Sequence, residues 1–87
     1  MNIVNQGLKF NFKMVLLDLD GTLLNDDKKI GNKDIGTLKF LKEKGVCNVI
    51  ATGRNLFSAN KVLDDNLALD YLVFSAGTGI MNWKTKE

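Results

Sequence analysis

Eighty-seven residues limit this chain to a single domain, one that buries only roughly 60 % of its unfolded surface and so keeps a thin stability margin. Forty-five per cent apolar and 25 % charged residues are ordinary for a soluble globular chain, and a net charge of +2 is too small to argue for a nucleic-acid or anionic-membrane partner. One cysteine excludes an internal disulfide, and the absence of histidine excludes every Ser-His, Cys-His or His-metal mechanism within the chain. No apolar run reaches the ~18 residues of a membrane span. The N-terminus lacks the sections of a secretory signal, so a reducing, cytoplasmic setting is expected.

In chain order, Leu8, Phe10 and Phe12 alternate with Lys9, Asn11 and Lys13, a strand period. Residues 1–13 therefore read as an edge strand or as a leader before the core. Met14-Val15-Leu16-Leu17 is an apolar run that enters Asp18-Leu19-Asp20-Gly21-Thr22, the pattern of a buried parallel strand closed by turn residues. A polar loop, Asn25 to Lys29, follows. Asn32 as N-cap, Asp34 in the first turn, Lys42 and Lys44 in the last and Gly45 as stop predict a helix over 33–44, with Ile35, Leu38 and Leu41 as its inward stripe. Residues 46–51 read as a second strand, with Cys47 as a small buried apolar residue and Asn48 as a polar anomaly. A second helix is expected from Leu56 to about Asp65, with Leu56, Phe57, Ala59, Val62 and Leu63 as apolar positions. Tyr71 to Ser75 is a third strand. Ala76-Gly77-Thr78-Gly79 turns the chain, and Ile80 to Trp83 begins a short strand or hairpin.

Strand, helix, strand, helix, strand is the α/β pattern of parallel pairing. The expected fold is a Rossmann-like fragment of a three-layer architecture, with a parallel sheet of about three strands and two helices. Residues 14–79 would form the core domain, and 80–87 the start of a cap or hairpin.

Open parallel sheets bind ligands beyond the carboxyl ends of their strands. Asp18, Asp20, Thr52 and Ser75 all fall at such ends. Asp18 and Asp20 are two apart, so their side chains leave an extended chain on the same side. Two ionised carboxylates roughly 6–7 Å apart repel by roughly 2–3 kcal/mol at an effective dielectric of ~20. A nearby cation or a shared proton removes that cost, and a hard divalent ion such as Mg²⁺ suits aspartate oxygens beside a phosphate. One aspartate could then attack phosphorus while the other moves the proton. Taken alone, Thr52 reads as well as a helix cap, and Gly77-Thr78-Gly79 as a tight turn rather than a phosphate loop, since no GK[ST] follows.

The stretch Asp18 to Leu24, DLDGTLL, resembles the first motif of the haloacid dehalogenase superfamily, DxDG[TV], and residues 15–54 resemble the start of its Cof-type sugar-phosphate phosphatases. The resemblance spans roughly residues 14–83. It implies a Mg²⁺-dependent phosphatase working through an aspartyl-phosphate on a small phosphorylated metabolite of the sugar-phosphate class. It implies Asp18 as nucleophile and metal ligand. Asp20 is implied as acid/base, with its backbone carbonyl also on the metal. Thr52 with Gly53 would bind the phosphoryl group, and backbone N–H groups near Leu19 and Asp20 would stabilise its charge. Arg54, in Thr52-Gly53-Arg54, receives no role. Where many Cof-type sequences carry Asn-Gly-Ala after the third strand, this one has Ala76-Gly77-Thr78.

The family's later lysine and acidic motifs and its cap domain have no counterpart here. The expectation is therefore a truncated form of weak or no turnover; the alternative is a non-catalytic binding or partner-interaction protein that keeps the site. In either case the strand from Met14 would be an open apolar edge, for which residues 8–12 in part, a homo-oligomer or a partner chain is the expected cover.

Overall fold

The computed structural model describes residues 13–25 and 29–87. The alternating segment Leu8–Phe12 expected to extend or edge the sheet lies outside them. The strands are β1 (Met14–Asp18), β2 (Cys47–Ala51), β3 (Tyr71–Phe74) and β4 (Gly79–Asn82), and the helices are α1 (Asn32–Glu43) and α2 (Leu56–Val62). The sheet order is β1-β2-β3-β4; β1, β2 and β3 are parallel and β4 returns antiparallel to β3. This is the α/β, Rossmann-like architecture that the element order predicts, with one antiparallel strand added at the far edge.

Helix α1 forms where its stripe predicts. Leu38 and Leu41 are fully buried and Ile35 packs on the core. Its start differs by one residue: Gly31 is the N-cap and Asn32 is already helical, so no side chain caps this end. Its end follows the sequence closely. Gly45 adopts φ +80°, a region a side chain disfavours, and the Gly45 and Val46 N–H groups donate to the carbonyls of Lys42 and Leu41 at 3.0 Å each. Helix α2 is shorter than expected, because Leu63 leaves helical geometry at φ −107° and ψ 133°. Phe57, one of its expected apolar positions, is 72 % exposed, with the Lys61 ammonium 4.4 Å over its ring.

Both helices pack on one face of the sheet. Leu38 of α1 and Ala59 of α2 share a core with Ile50, Leu72 and Met81. Trp83 closes that core from beyond β4, 1 % exposed, its indole N–H donating to the Asp64 carbonyl at 3.3 Å. The described residues thus supply two of the three layers of the expected architecture. Asn48, the polar anomaly of β2, is the knot of this face. Its Nδ2 donates to the carbonyls of Leu38 (2.9 Å) and Ala68 (2.8 Å), and its backbone N–H donates to Asp70 Oδ2 at 2.7 Å. Lys42 donates to the other Asp70 oxygen, which lifts the lysine above its usual range. Cys47 is half-buried; burial first, and the Asp70 charge second, push its thiol up, away from reactivity.

Candidate functional site at the strand tips

The register of the sheet builds the site. Asp18 is paired with Ala51, and Ala51 with Val73, so the last residues of β1 and β2 and the penultimate residue of β3 stand in one row. Thr52 and Gly53 come directly after that row on β2. The chain beyond β3 then folds back over it: Ala76 N–H donates to the Thr52 carbonyl (3.2 Å) and Ser75 N–H to the Arg54 carbonyl (2.8 Å). Making this fold-back places Ser75 at φ 50° and Ala76 at φ 53°, left-handed conformations unusual for residues with a Cβ. Such strain persists only where surrounding contacts hold it, and it concentrates at binding sites. The result is an open cavity of about 350 Å³ lined by Asp18, Ala51, Thr52, Gly53, Val73, Ala76 and Gly77.

Past the strand end the chain enters a short helical segment, Leu19–Leu23, that Asp20 interrupts with an extended conformation. Asp18 (φ −79°, ψ 137°) and Asp20 (φ −79°, ψ 134°) are both extended and exposed, while Leu19 between them is wholly buried. Gly21 at φ +82° then turns the chain, and a hydrogen bond from Leu24 N–H to the Leu19 carbonyl (3.1 Å) closes the loop. Leu24 and Ile30 form an antiparallel bridge beyond it. Because the Leu19 side chain is committed to the core, only its backbone is available to a ligand.

The two acids sit in different surroundings. No hydrogen bond or ion pair engages the Asp18 side chain among the described residues, and it faces the cavity. Asp20 is gripped by Arg54: Nε lies 3.2 and 3.1 Å from Oδ1 and Oδ2, and Nη2 lies 3.0 Å from Oδ1. That pairing raises the guanidinium above its usual range, through the hydrogen bond first. Thr52 Oγ1 donates toward Asp20 Oδ2 at 3.4 Å and accepts the Arg54 backbone N–H at 3.0 Å. The threonine is only 5 % exposed, and it does not cap α2. That role belongs to Asn55, whose Oδ1 accepts from Ser58 N–H at 2.8 Å.

As a donor set, these groups suit a hard, hydrated cation. Mg²⁺ keeps several waters and takes one or two protein carboxylates plus phosphate oxygens. The Asp18 carboxylate meets that need, while the Asp20 carboxylate is occupied by Arg54. Among the described residues no group of three or more His, Cys, Asp or Glu side chains converges, so an all-protein metal cage is not formed there.

A family model described as haloacid dehalogenase-like hydrolase matches residues 15–87. The chain belongs to this family. Among its relatives, the 5-amino-6-(5-phospho-D-ribitylamino)uracil phosphatase YcsE of Bacillus subtilis is 31 % identical over 80 % of this chain and 28 % of its own length. The HMP-PP phosphatase of Shigella flexneri is 38 % identical over 78 % of this chain and 25 % of its own. In structure, a haloacid dehalogenase-like hydrolase from Bacteroides thetaiotaomicron superimposes with a TM-score of 0.70 at 33 % identity, covering 88 % of this chain and 30 % of that one. A second phosphatase of the superfamily from the same organism gives a TM-score of 0.73 at 30 % identity, covering 87 % and 28 %. The chain therefore spans between a quarter and a third of the length of these hydrolases.

Within this haloacid dehalogenase-like core, the geometry brings Asp18, Thr52 and Gly53 to one cavity and sets Asp20 beside Thr52. Ser75 supports the rim through its backbone. Two contributions escaped the sequence: Ala76 and Gly77 line the cavity, and Arg54 holds the second acid. The spacing of Arg54 and Ser58, four apart across the start of a helix, was the one available hint, since Nη1 donates to Ser58 Oγ at 3.0 Å.

Proposed function

We propose that this chain carries the nucleophile-bearing part of a Mg²⁺-dependent phosphoric monoester hydrolase of the Cof type, acting on a small phosphorylated metabolite of the sugar-phosphate class. The observation that carries the reading is the Asp18 carboxylate, unengaged among the described residues, in a cavity shared with Thr52 and Gly53 at the carboxyl ends of parallel strands. The names of the relatives add support, since they are phosphatases of phosphorylated metabolites.

An Asp18 oxygen forms a bond to phosphorus as the bond from phosphorus to the leaving oxygen breaks, and Asp20 gives that oxygen a proton. Water then attacks the aspartyl-phosphate, Asp20 takes the proton, and phosphate leaves with Asp18 regenerated. Splitting one displacement into two lowers each barrier. Thr52 and the N–H groups about Gly53 and Leu19 orient the phosphoryl group and meet its charge. The Asp18 carboxylate and the Asp20 carbonyl would hold Mg²⁺, which would neutralise charge between carboxylate and phosphate. A reducing cytoplasmic setting fits the single free thiol, which is half-buried.

Hydrolysis of an aryl phosphate with Mg²⁺ tests the reading: slow turnover that falls at least ~100-fold in Asp18→Asn is expected. Phosphate binding with no turnover in the wild type would instead favour a non-catalytic binding protein.

A further inference from the structure

Arg54 is built into the molecule at both ends. Its backbone N–H donates to Thr52 Oγ1 and its carbonyl accepts from Ser75, so it is strapped between the tips of β2 and β3. Its side chain is 24 % exposed, and all three guanidinium nitrogens are engaged, Nε and Nη2 on Asp20 and Nη1 on Ser58. An ion pair between freely rotating surface groups contributes little. A planar fork whose own position is fixed does more, because it also fixes the orientation of what it holds.

The contacts that Arg54 and Thr52 make on Asp20 are unequal. Oδ1 receives two guanidinium N–H groups, at 3.0 and 3.2 Å, whereas Oδ2 receives Nε at 3.1 Å and a long contact from Thr52 at 3.4 Å. Asp20 itself sits on an extended loop residue with a side chain 47 % exposed. We infer that Arg54 is the positioning residue for Asp20: it anchors Oδ1 and thereby presents Oδ2, beside Thr52 at the cavity, as the oxygen that exchanges the proton. The inference rests on the phosphatase reading. It assigns Arg54 to the acid and not to the phosphate, which falls to Asp18, Thr52 and Gly53.

Two phosphoryl donors separate these roles in the 87-residue chain. Transfer from phenyl phosphate to Asp18 expels phenoxide, whose oxygen takes the Asp20 proton; transfer from acetyl phosphate expels acetate, a far weaker base that needs none. Formation of the phosphorylated protein is followed by mass spectrometry with Mg²⁺ present. Arg54→Lys keeps the charge and loses the planar fork. It should slow labelling by phenyl phosphate about tenfold or more and labelling by acetyl phosphate by no more than about threefold. Should the lysine variant fail to fold by circular dichroism, Ser58→Ala frees Nη1 alone and should give the same selectivity at smaller amplitude. Equal losses with both donors would place Arg54 on the phosphoryl group and overturn the inference, as would no loss with either. If neither donor labels the wild type, the phosphatase reading itself falls, and the inference with it.

Discussion

Asp18 and Asp20 differ by one intervening residue and by everything around them. Among the described residues the first is unengaged at the end of a strand; the second is held by a guanidinium from another element. What separates them is Leu19, drawn wholly into the core, and Gly21, which turns the chain at φ +82°. A Cβ on Gly21 would meet no atom within 4 Å, so the cost of Gly21→Ala is that of the backbone conformation alone. A loss of about 1–2 kcal/mol in urea denaturation is expected, with Asp20 displaced. A loss near zero would mean that the loop relaxes to negative φ. The paired acids and this glycine were legible in the sequence, since each is a local signature. Arg54 was not, because its partner is 34 positions away and only the fold brings them together.

At the level of elements, the strands and α1 were readable because their periodicity agrees with their burial. The end of α2 and the exposure of Phe57 were not, since a seven-residue helix shows too few turns to fix a face. Asn48 also resisted. A polar residue within an apolar strand signals something, but its partners lie on α1 and in the loop before β3. Asn48→Ala should cost about 2–3 kcal/mol by denaturant titration, because two buried carbonyls lose their donor. The adjoining pair gives a pH dependence. Lys42, raised from 10.5 by its hydrogen bond to Asp70, is protonated more readily folded than unfolded. Its contribution is complete below 10.5 and fades as pH climbs through the raised folded value. With side chains 32 % and 19 % exposed, the effect is modest. Melting temperatures measured from pH 9 upward should fall more gently in Asp70→Asn than in the wild type, although that variant begins lower.

For the molecule as a whole, placing both helices on one side leaves the other face of the sheet apolar and open among the described residues. Met14, Leu16, Tyr71 and Ile80 are exposed there, Leu16 at 62 % and Ile80 at 68 %. Parallel sheets are ordinarily covered on both faces. Among the described residues β2 is the sole neighbour of β1 in the sheet, which agrees with the open edge that the sequence implied. Wild-type protein should enhance the fluorescence of a hydrophobic dye under native conditions, and Leu16→Lys should lower that signal without unfolding the domain. An unchanged signal would mean that the face is covered.

The central claim is that the tips of β1 and β2 make one phosphoryl-transfer site with Asp18 as its nucleophile. Its most direct test is peptide mapping of the protein after acid quench from an activated phosphoryl donor and Mg²⁺. The account predicts a phosphoryl group on Asp18 that is acid-stable, cleaved by hydroxylamine and absent in Asp18→Asn. A modification on Asp20 or on a hydroxyl residue, or none at all, would contradict it.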